Sequence, residues 1–458
     1  KLVVMIRGVL YNEIKAKNNI IKGEYVMRSF EKSNALIERE RKVAPLAAQT
    51  FSKSYRYFIP GSSPMFIDHG EGARLYDVDG NEYIDFVCSL GPITLGYNYP
   101  AVNAAVMEQL NKGIIFTTQA PVECELAEKL VELIPCAEMV KFVKNGSDAT
   151  TAAIRLARAY TGRERVAMCG YHGMHDWSIG ASANNRGIPK AVCELTKTFK
   201  YNDIESLENL LSEHPGEYAA VIMEPIQSNG TTKEYLQAVV DTAHKHGAIA
   251  IFDEVVSGFR YAIGGASEYY GVTPDMASYG KGCANGMPIS FVAGKRELIS
   301  LIEQGVFVSM TFGGDAISLA GALATVKEMQ EKDVMGHAWK LGTIMLEGLK
   351  ELVEKHGIGE AVSVSGLAPH CGLAFSDVGS LNYLDINSVY TKVMLENGIL
   401  CMAINNISFS HTEEDIQKYL AAADRAFATI KEAMDKDSLD GILPEGVRVN
   451  PVFKRNIK

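Results

Sequence analysis

The sequence predicts an α/β fold built on a mostly parallel sheet, and three observations support this. Apolar runs typical of strands buried on both faces alternate with amphipathic segments of helical period. The clearest run, Ile249 to Phe252, follows Gly247 and stops abruptly at Asp253 and Glu254. The 458 residues, 47% of them hydrophobic, suffice for two or more domains or one large α/β unit with appendages.

The strands and helices of the middle of the chain alternate as right-handed βαβ units require. In the helices predicted between these strands, apolar residues recur along one face. The predicted strands are 139–144, 165–169, 218–223 and 249–252, and the predicted helices are 148–161, 207–213 and 235–245.

The two ends of the chain are expected to form separate parts. Residues 1–26 lack the pattern of a signal peptide and are interpreted as an extension before a natural start at Met27. A helix over 29–47 and a hairpin over 73–86, turning at Asp79-Gly80, are expected next. The C-terminal part should contain helices over 316–332 and 338–356, strands near 362–364 and 373–375, and a final helix after Thr412. The predicted division is therefore 27–90, 91–324 and 325–458.

Composition excludes several classes of partner. A net charge of −10 without a basic cluster argues against nucleic acid. Eight scattered cysteines without a CxxC pair indicate reduced thiols and a cytoplasmic protein, and no apolar stretch is long enough for a membrane span. His172 and His175 lack further ligands at matching spacing, so no metal site is expected.

Asp253 and Lys281 are the candidate catalytic pair. Asp253 ends the strand from Ile249, where ligands bind in open α/β sheets, although it could simply cap the following turn. Lys281 lies between Gly280 and Gly282, which leaves room for a close approach to its amine, although a surface loop lysine is the ordinary alternative. Pyridoxal phosphate needs a lysine for its aldehyde and an acid for its ring nitrogen, so the pair favours that cofactor.

A phosphate site is expected where Asn145-Gly146-Ser147 leads into a helix. Free N–H groups and the helix dipole at such an N-terminus suit an anion, and Gly146 and Ser147 are the candidates. Ser147 could equally be a plain N-cap. Asp148 should face away from the phosphate.

Three segments together resemble the class III pyridoxal-phosphate aminotransferases, in particular the glutamate-1-semialdehyde aminomutase group. They are FDEVVSGFR, YGKG followed by GMPI, and KNGSDATTAAIRLARAYTGR followed by GYHGMHDW, and the resemblance extends from about residue 45 to 427. It implies a fold type I enzyme whose large domain has a seven-stranded sheet flanked by helices. It also implies a smaller α+β domain drawn from both chain ends.

The resemblance also assigns residues around the cofactor. It implies that Tyr171 stacks on the pyridine ring with support from His172, and that Val255 packs on the opposite face. It places Glu224 near the active site and Gln227 near the phenolic oxygen.

Further positions follow from the same resemblance. Thr311, in a segment that could also be an ordinary Gly-Gly loop, would reach the phosphate of a partner subunit, which implies a homodimer with shared sites. Leu90 stands in the substrate pocket where the aminomutases usually have tryptophan. Arg56 matches their carboxylate-binding arginine if one gap is allowed, and residues 403–409 replace a loop that usually carries an acid.

These features predict an aminotransferase working through a Schiff base on Lys281 and a pyridoxamine form. The donor is an amino acid, with glutamate favoured, and the acceptor is an aldehyde or ketone on a larger molecule such as a sugar derivative. Glutamate-1-semialdehyde 2,1-aminomutase is the alternative. A racemase or decarboxylase and a non-catalytic binding protein are the remaining hypotheses.

Overall fold

The computed structural model describes residues 28–59, 61–228, 230–444 and 446–451, so the extension expected over 1–26 lies outside the described residues. Among these residues no helix combines the length and apolarity that a bilayer crossing needs. The strands of the described part are β1 Ile67–Glu71, β2 Arg74–Asp77, β3 Glu82–Asp85, β4 Met139–Val143, β5 Arg165–Cys169, β6 Thr196–Thr198, β7 Tyr218–Met223, β8 Ile249–Asp253, β9 Met276–Tyr279, β10 Ser290–Gly294, β11 Val362–Leu367, β12 His370–Phe375 and β13 Ile399–Leu400.

The helices alternate with these strands through the middle of the chain and dominate its C-terminal third. Within the described residues they are α1 Glu31–Glu40, α2 Pro100–Lys112, α3 Pro121–Leu133, α4 Gly146–Thr161, α5 Asp176–Ile179, α6 Lys190–Glu194, α7 Ile204–Glu213, α8 Lys233–Lys245, α9 Ala266–Tyr270, α10 Arg296–Ile299, α11 Ala316–Glu331, α12 Val334–His356, α13 Tyr383–Glu396 and α14 Glu413–Lys436.

The main sheet has seven strands in the order β4-β10-β9-β8-β7-β5-β6. All neighbours are parallel except β10, which runs antiparallel to both β9 and β4. The mostly parallel seven-stranded sheet is therefore confirmed. The sequence reasoning gave no bounds for three strands of this sheet, β6, β9 and β10. The apolar run SFVAG of β10 follows the lysine loop directly.

The sheet is buried on both faces, as its apolar strands require. In β8, Ile249 and Ile251 belong to one hydrophobic cluster, whereas Ala250 and Phe252 belong to another on the opposite face. Successive side chains of a strand point to opposite faces, so this division follows from the period of two. Helix α4 packs across β10, β9 and β7, and helix α8 packs on β8 and β7.

A second core joins residues from the two ends of the chain. Ile84 and Phe86 pack with apolar side chains of α12, α13 and α14, and β13 pairs in parallel with β3. The predicted hairpin is formed by β2 and β3, with Arg74 opposite Ile84, and Gly80 in its turn has φ 88°. The smaller part is therefore built from both chain ends, while the boundaries 27–90, 91–324 and 325–458 stay predictions.

Two local predictions were wrong at helix ends. The helix expected over 29–47 is α1, which ends at Glu40. Ala44 is extended, the conformation favoured before a proline, and a short 3-10 turn follows at Pro45. The other is Ser147, which is not an N-cap because α4 begins one residue earlier and Asn145 caps it.

Candidate active site

The carboxyl end of β8 places Asp253 in a buried pair with His172. Nδ1 of His172 lies 2.8 Å from Oδ2 of Asp253, and the two residues are only 2% and 5% exposed. Oδ1 of the same carboxylate accepts the Val255 N–H at 3.1 Å. Asp253 therefore caps the following turn and also lies within hydrogen-bond distance of a buried histidine, while its role toward a cofactor stays a prediction.

The other nitrogen of His172 is an orphaned polar atom. Nε2 is buried and has no hydrogen-bond partner among the described residues. The backbone of His172 is fixed because its carbonyl accepts the hydroxyl of Thr150 at 2.8 Å. Buried polar groups without partners are rare in proteins, and they are typical of sites that bind ligands.

Lys281 directly follows β9, the neighbour of β8, with a single glycine between strand and lysine. It is half-buried and has φ 41°, a left-handed conformation that is uncommon for a lysine. Burial lowers the pKa of its amine, the charges of Asp253 and Glu224 oppose this, and Arg260 adds to the lowering. The amine therefore lies in the electrostatic field of both acids and carries its proton less firmly than a surface lysine.

The start of α4 faces the same edge of the sheet. Asp148 bends back so that its Oδ2 accepts the Asn145 N–H at 2.8 Å, which ties this carboxylate to the helix start. The hydroxyl of Ser147 accepts the N–H of Met174 at 3.1 Å. A methyl group built on Gly146 would lie 3.0 Å from Cγ1 of Val255, so the glycine permits this close packing.

Tyr171 and Glu224 lie together at the ends of β5 and β7. The Tyr171 N–H donates to Oε2 of Glu224 at 3.1 Å, and the tyrosine side chain stays 55% exposed. A side chain on Gly170, which has φ 110°, would collide with the Glu224 carboxylate. Burial has the largest effect on the pKa of Glu224 and raises it. The neighbouring His172 lowers this pKa, and the charge of Asp253 raises it.

Gln227 lies in the loop that follows Glu224. Its N–H donates at 3.1 Å to the hydroxyl of Tyr201, and that hydroxyl donates to the Pro225 carbonyl at 2.9 Å. The loop is thus held from both sides at the carboxyl end of β7, next to the Glu224 carboxylate.

Leu90 belongs to a strained turn beside Lys281. Cys88, Ser89 and Leu90 all have positive φ, at 49°, 57° and 73°. Such a run is costly for residues other than glycine and indicates a conformation imposed by its surroundings. A methyl group built on Gly91, the next residue, would lie 3.8 Å from Cδ of Lys281.

Two predicted residues are not brought to this cluster by any described contact. Arg56 is half-buried, and the described contact of its backbone is the Asn450 N–H, which it accepts at 2.7 Å. Thr311 is exposed beside Phe312, which is also exposed, as is Phe307 a few residues earlier. Both roles therefore stay predictions.

The sequence reasoning missed two residues that contact the turn at 88–91 or the loop at 403–409, and it left a third undecided. Lys53 donates to the hydroxyl of Ser89 at 2.8 Å, and His370 Nδ1 lies 2.8 Å from Oδ1 of Asn406. Arg260, which the sequence left open, donates to the carbonyl of Gly91. The signal for Arg260 was its place in FDEVVSGFR, but Lys53 and His370 come from distant segments without a motif of their own.

The residues present fit pyridoxal phosphate. A half-buried amine, a buried carboxylate on the adjacent strand, an exposed tyrosine and a helix N-terminus with glycine in its first turn surround one edge of the sheet. The orphaned Nε2 of His172 lies in the same cluster. The described residues contain no group of three or more side chains arranged to hold a metal ion.

Comparisons with known proteins agree with this site. The sequence model described as "Aminotransferase class-III" matches residues 57–414. The 3-aminobutyryl-CoA aminotransferase of Cloacimonas acidaminovorans is 34% identical over 412 residues, covering 88% of this chain and 98% of the relative. The glutamate-1-semialdehyde 2,1-aminomutase of Chloroherpeton thalassium is 36% identical over 427 residues, covering 86% and 98%.

A solved structure shows the same fold. The FumI protein of Sphingopyxis sp. MTA144, described as a PLP internal aldimine form, superposes with a TM-score of 0.80 at 29% identity and covers 88% of this chain and 97% of its own. The chain belongs to the class III aminotransferases and is an enzyme of that pyridoxal-phosphate-dependent family. The resemblance deduced from the sequence motifs is confirmed.

Proposed function

We propose that this protein is a two-substrate aminotransferase that takes an amino group from glutamate and gives it to an aldehyde or ketone acceptor. The observation that carries the proposal is the meeting of Asp253, held by His172, with the half-buried Lys281 at adjacent strand ends. The acid and the amine are the two groups that the cofactor's chemistry requires.

Pyridoxal phosphate, when bound, supplies an aldehyde carbon for the amino group and a ring that withdraws electrons from the substrate carbon. Asp253 holds a proton on the ring nitrogen, because a buried carboxylate stabilises a neighbouring positive charge. Nδ1 of His172 fixes the orientation of that carboxylate. Gly146 and Ser147 bind the phosphate through the start of α4.

Lys281 would hold the cofactor through its aldehyde carbon until the amino group of the substrate displaces it. The freed Nζ would then take the proton from the substrate carbon and give it to the former aldehyde carbon, as a general base and acid. Burial lowers the pKa of this amine, which favours its action as a base. Tyr171 and Val255 would pack against the ring, and Glu224 and Gln227 would offer polar groups to its phenolic oxygen.

The site is completed in a homodimer, with Thr311 of each subunit reaching the phosphate of the other. Exposed apolar side chains in the neighbouring segments support this proposal. They include Met107 and Leu110 on α2, Ile114 and Phe116 after it, and Phe307 and Phe312 near Thr311. Several exposed large apolar side chains in nearby segments are typical of a subunit interface.

Leu90 and the loop 403–409 set the choice of acceptor. Leu90 borders the strained turn beside Lys281, and Asn406 of the loop approaches the same turn. A leucine leaves more room than tryptophan, which suits a larger acceptor such as a sugar-derived ketone. A cytoplasmic location is also proposed, supported by eight cysteines that are all free, six of them buried.

The test is an amino-donor reaction on purified protein loaded with pyridoxal phosphate. Adding L-glutamate alone should bleach the yellow absorption and release one equivalent of 2-oxoglutarate per site. Acceptors, including ketosugars and 3-oxoacyl thioesters, would then restore the yellow form in single turnovers.

The second candidate is the aminomutase, which the 36% identity to the Chloroherpeton thalassium enzyme favours. In that case glutamate leaves the spectrum unchanged, whereas glutamate-1-semialdehyde is converted to 5-aminolevulinate without release of 2-oxoglutarate. That pair of results would contradict the two-substrate proposal.

A further inference from the structure

Arg260 is a buried cation for which the described residues supply no counter-ion. It is 4% exposed, and no carboxylate of the described residues lies within ion-pair distance of its guanidinium. Its hydrogen bond goes to a neutral group, the carbonyl of Gly91. Burying a charge without an opposite charge is costly, so such a residue is retained where a ligand completes the pair.

The guanidinium is directed at the space beside the lysine. A methyl group built on Gly91 would lie 3.3 Å from Nη2 of Arg260, 3.6 Å from Oδ1 of Asn406 and 3.8 Å from Cδ of Lys281. Three side chains from distant parts of the chain therefore converge around one point next to the reacting amine.

The backbone that aims Arg260 is strained. The preceding residue, Phe259, is fully buried and has φ 58°, an outlier for a bulky side chain. On the other side of the space, Leu90 is also left-handed at φ 73°. Strain of this kind persists where the surroundings enforce it, and it concentrates at ligand sites.

We propose that Arg260 binds the carboxylate attached to the carbon that bears the reacting amino group of the substrate. The inference rests on the proposed aminotransferase function and names the substrate class of that site: an amino acid held by its α-carboxylate. Arginine suits this task because its planar fork matches the two carboxylate oxygens. Asn406 is 3% exposed, and its Nδ2 donates to the Val87 carbonyl at 2.9 Å. Because this side chain is fixed, it limits the orientations that the carboxylate can adopt.

The proposal makes Arg260, rather than Arg56, the specificity residue for the donor. Arg56 has no described contact with the turn at Gly91, whereas Arg260 donates to it directly. The variants Arg260→Met, Arg260→Lys and Arg56→Met therefore form a matched set.

The experiment compares three donors that differ in their carboxylates. L-glutamate has two, L-2-aminobutyrate keeps only the α-carboxylate, and 4-aminobutyrate keeps only the distant one. Arg260→Met should lower kcat/KM for the first two by about 100-fold, with 4-aminobutyrate changed little. Arg260→Lys should recover part of the loss, because it keeps the charge without the fork. Arg56→Met should leave the ratio between donors unchanged.

A purely structural role for Arg260 predicts a different pattern. Replacing it would then lower the melting temperature and affect all donors equally. We expect the melting temperature of Arg260→Met without substrate to be equal to or higher than that of the wild type, since an unpaired buried charge is removed. Equal losses for all donors, or a donor-specific loss in Arg56→Met instead, would overturn the proposal.

A binding experiment tests this inference independently of the proposed function. Glutarate, an unreactive dicarboxylate, and propionate, which has a single carboxylate, are titrated calorimetrically into the wild type and Arg260→Met. Weaker binding of both in the variant supports the carboxylate site even if glutamate is not a donor. If the wild type releases 2-oxoglutarate from glutamate while both variants at position 260 match it, the function stands and the inference fails.

Discussion

The central strands of the main sheet have an aspartate–histidine pair at each of their two ends. Asp253 ends β8 and lies 2.8 Å from His172, while Asp275 precedes β9 and lies 2.8 Å from Nε2 of His244. The carboxylates are similarly buried, at 5% and 4% exposed. They differ in what else surrounds them.

Asp275 is surrounded by partners. Lys295 donates to its Oδ1 at 2.6 Å and the Ala250 N–H to its Oδ2 at 2.8 Å, and the ring of His244 reaches solvent. Burial alone would raise the pKa of Asp275, but the bonds from Lys295, Ala250 and His244 prevail and lower it. At the other end of the strands, His172 is buried, and its Nε2 has no hydrogen-bond partner among the described residues. We infer that Asp275 stabilises the fold, whereas the pair of Asp253 and His172 leaves one polar atom available to a ligand.

The largest effect should come from replacing Lys281, whose amine lies at the same end of the strands as Asp253. Lys281→Ala removes the group that holds the cofactor and moves the proton, so turnover should fall by about 10⁴-fold or more. Its melting temperature without cofactor should not fall, because a desolvated amine is lost. Steady-state kinetics and thermal unfolding measure the two quantities.

Lys340→Ala is the matched control for that variant. Lys340 is well exposed and lies 3.7 Å from Glu413, so both its turnover and its melting temperature should stay close to those of the wild type. Full turnover in Lys281→Ala would rule out the assigned chemistry.

The next effect tests the two aspartates directly. Asp253→Asn keeps the shape of the side chain but removes the charge that holds the ring proton, so kcat should fall by about 100-fold, while stability changes little. Asp275→Asn should leave kcat near the wild-type value and lower the free energy of unfolding by about 1–3 kcal/mol, because it loses charge-assisted bonds.

The stability effect of Asp275 should also depend on pH. Its folded pKa lies below the ordinary value of 3.8, so its contribution is present above that value and is lost as the pH falls through the folded pKa. Urea unfolding of both aspartate variants at neutral and acidic pH measures this. If Asp275→Asn were the inactive variant and Asp253→Asn the unstable one, the comparison would be reversed.

The smallest effect concerns the field around Lys281. The Glu224 carboxylate raises the pKa of this amine, so Glu224→Gln should lower it further and increase the neutral fraction at a given pH. The rise in the rate at which the apoprotein captures pyridoxal phosphate should then occur at a lower pH, which a pH–rate profile measures.

Glu217→Gln is the control for the pH profile. Glu217 is exposed, pairs with Arg165 and lies at the opposite end of β7 from Glu224, so its removal should not move the profile. A profile that moves to higher pH in Glu224→Gln would contradict the electrostatic account.

The sequence predicted the parts of this molecule that depend on local pattern. The apolar run before Asp253 and the glycines around Lys281 located both residues at sheet ends, and the period of α14 after Thr412 was confirmed. The predicted helix ends were less accurate, as at Ser147, because Asn145 and Ser147 are both residue types that cap helices, and packing decides between them.

Long-range convergence was beyond the sequence. Arg260, Asn406 and Gly91 come together only through tertiary packing, and no spacing in the chain relates them. Strand β10 was missed because its antiparallel direction depends on which edge of the sheet the chain reaches after the lysine loop. The proposed contribution of Thr311 would depend on a second subunit, which the pattern of a single chain cannot reveal.

The parallel pairing of β13 with β3 has a consequence for biosynthesis. Ile399 pairs with Ile84, about 300 residues earlier, and the ring of Phe86 packs against those of His411 and Tyr419 in the C-terminal third. At about 5–20 residues per second, the hairpin leaves the ribosome roughly 15–60 s before its partners are made. During that interval an apolar strand edge is exposed in the nascent chain, so this protein should depend on chaperones early in synthesis and should tolerate slow translation of its second half poorly.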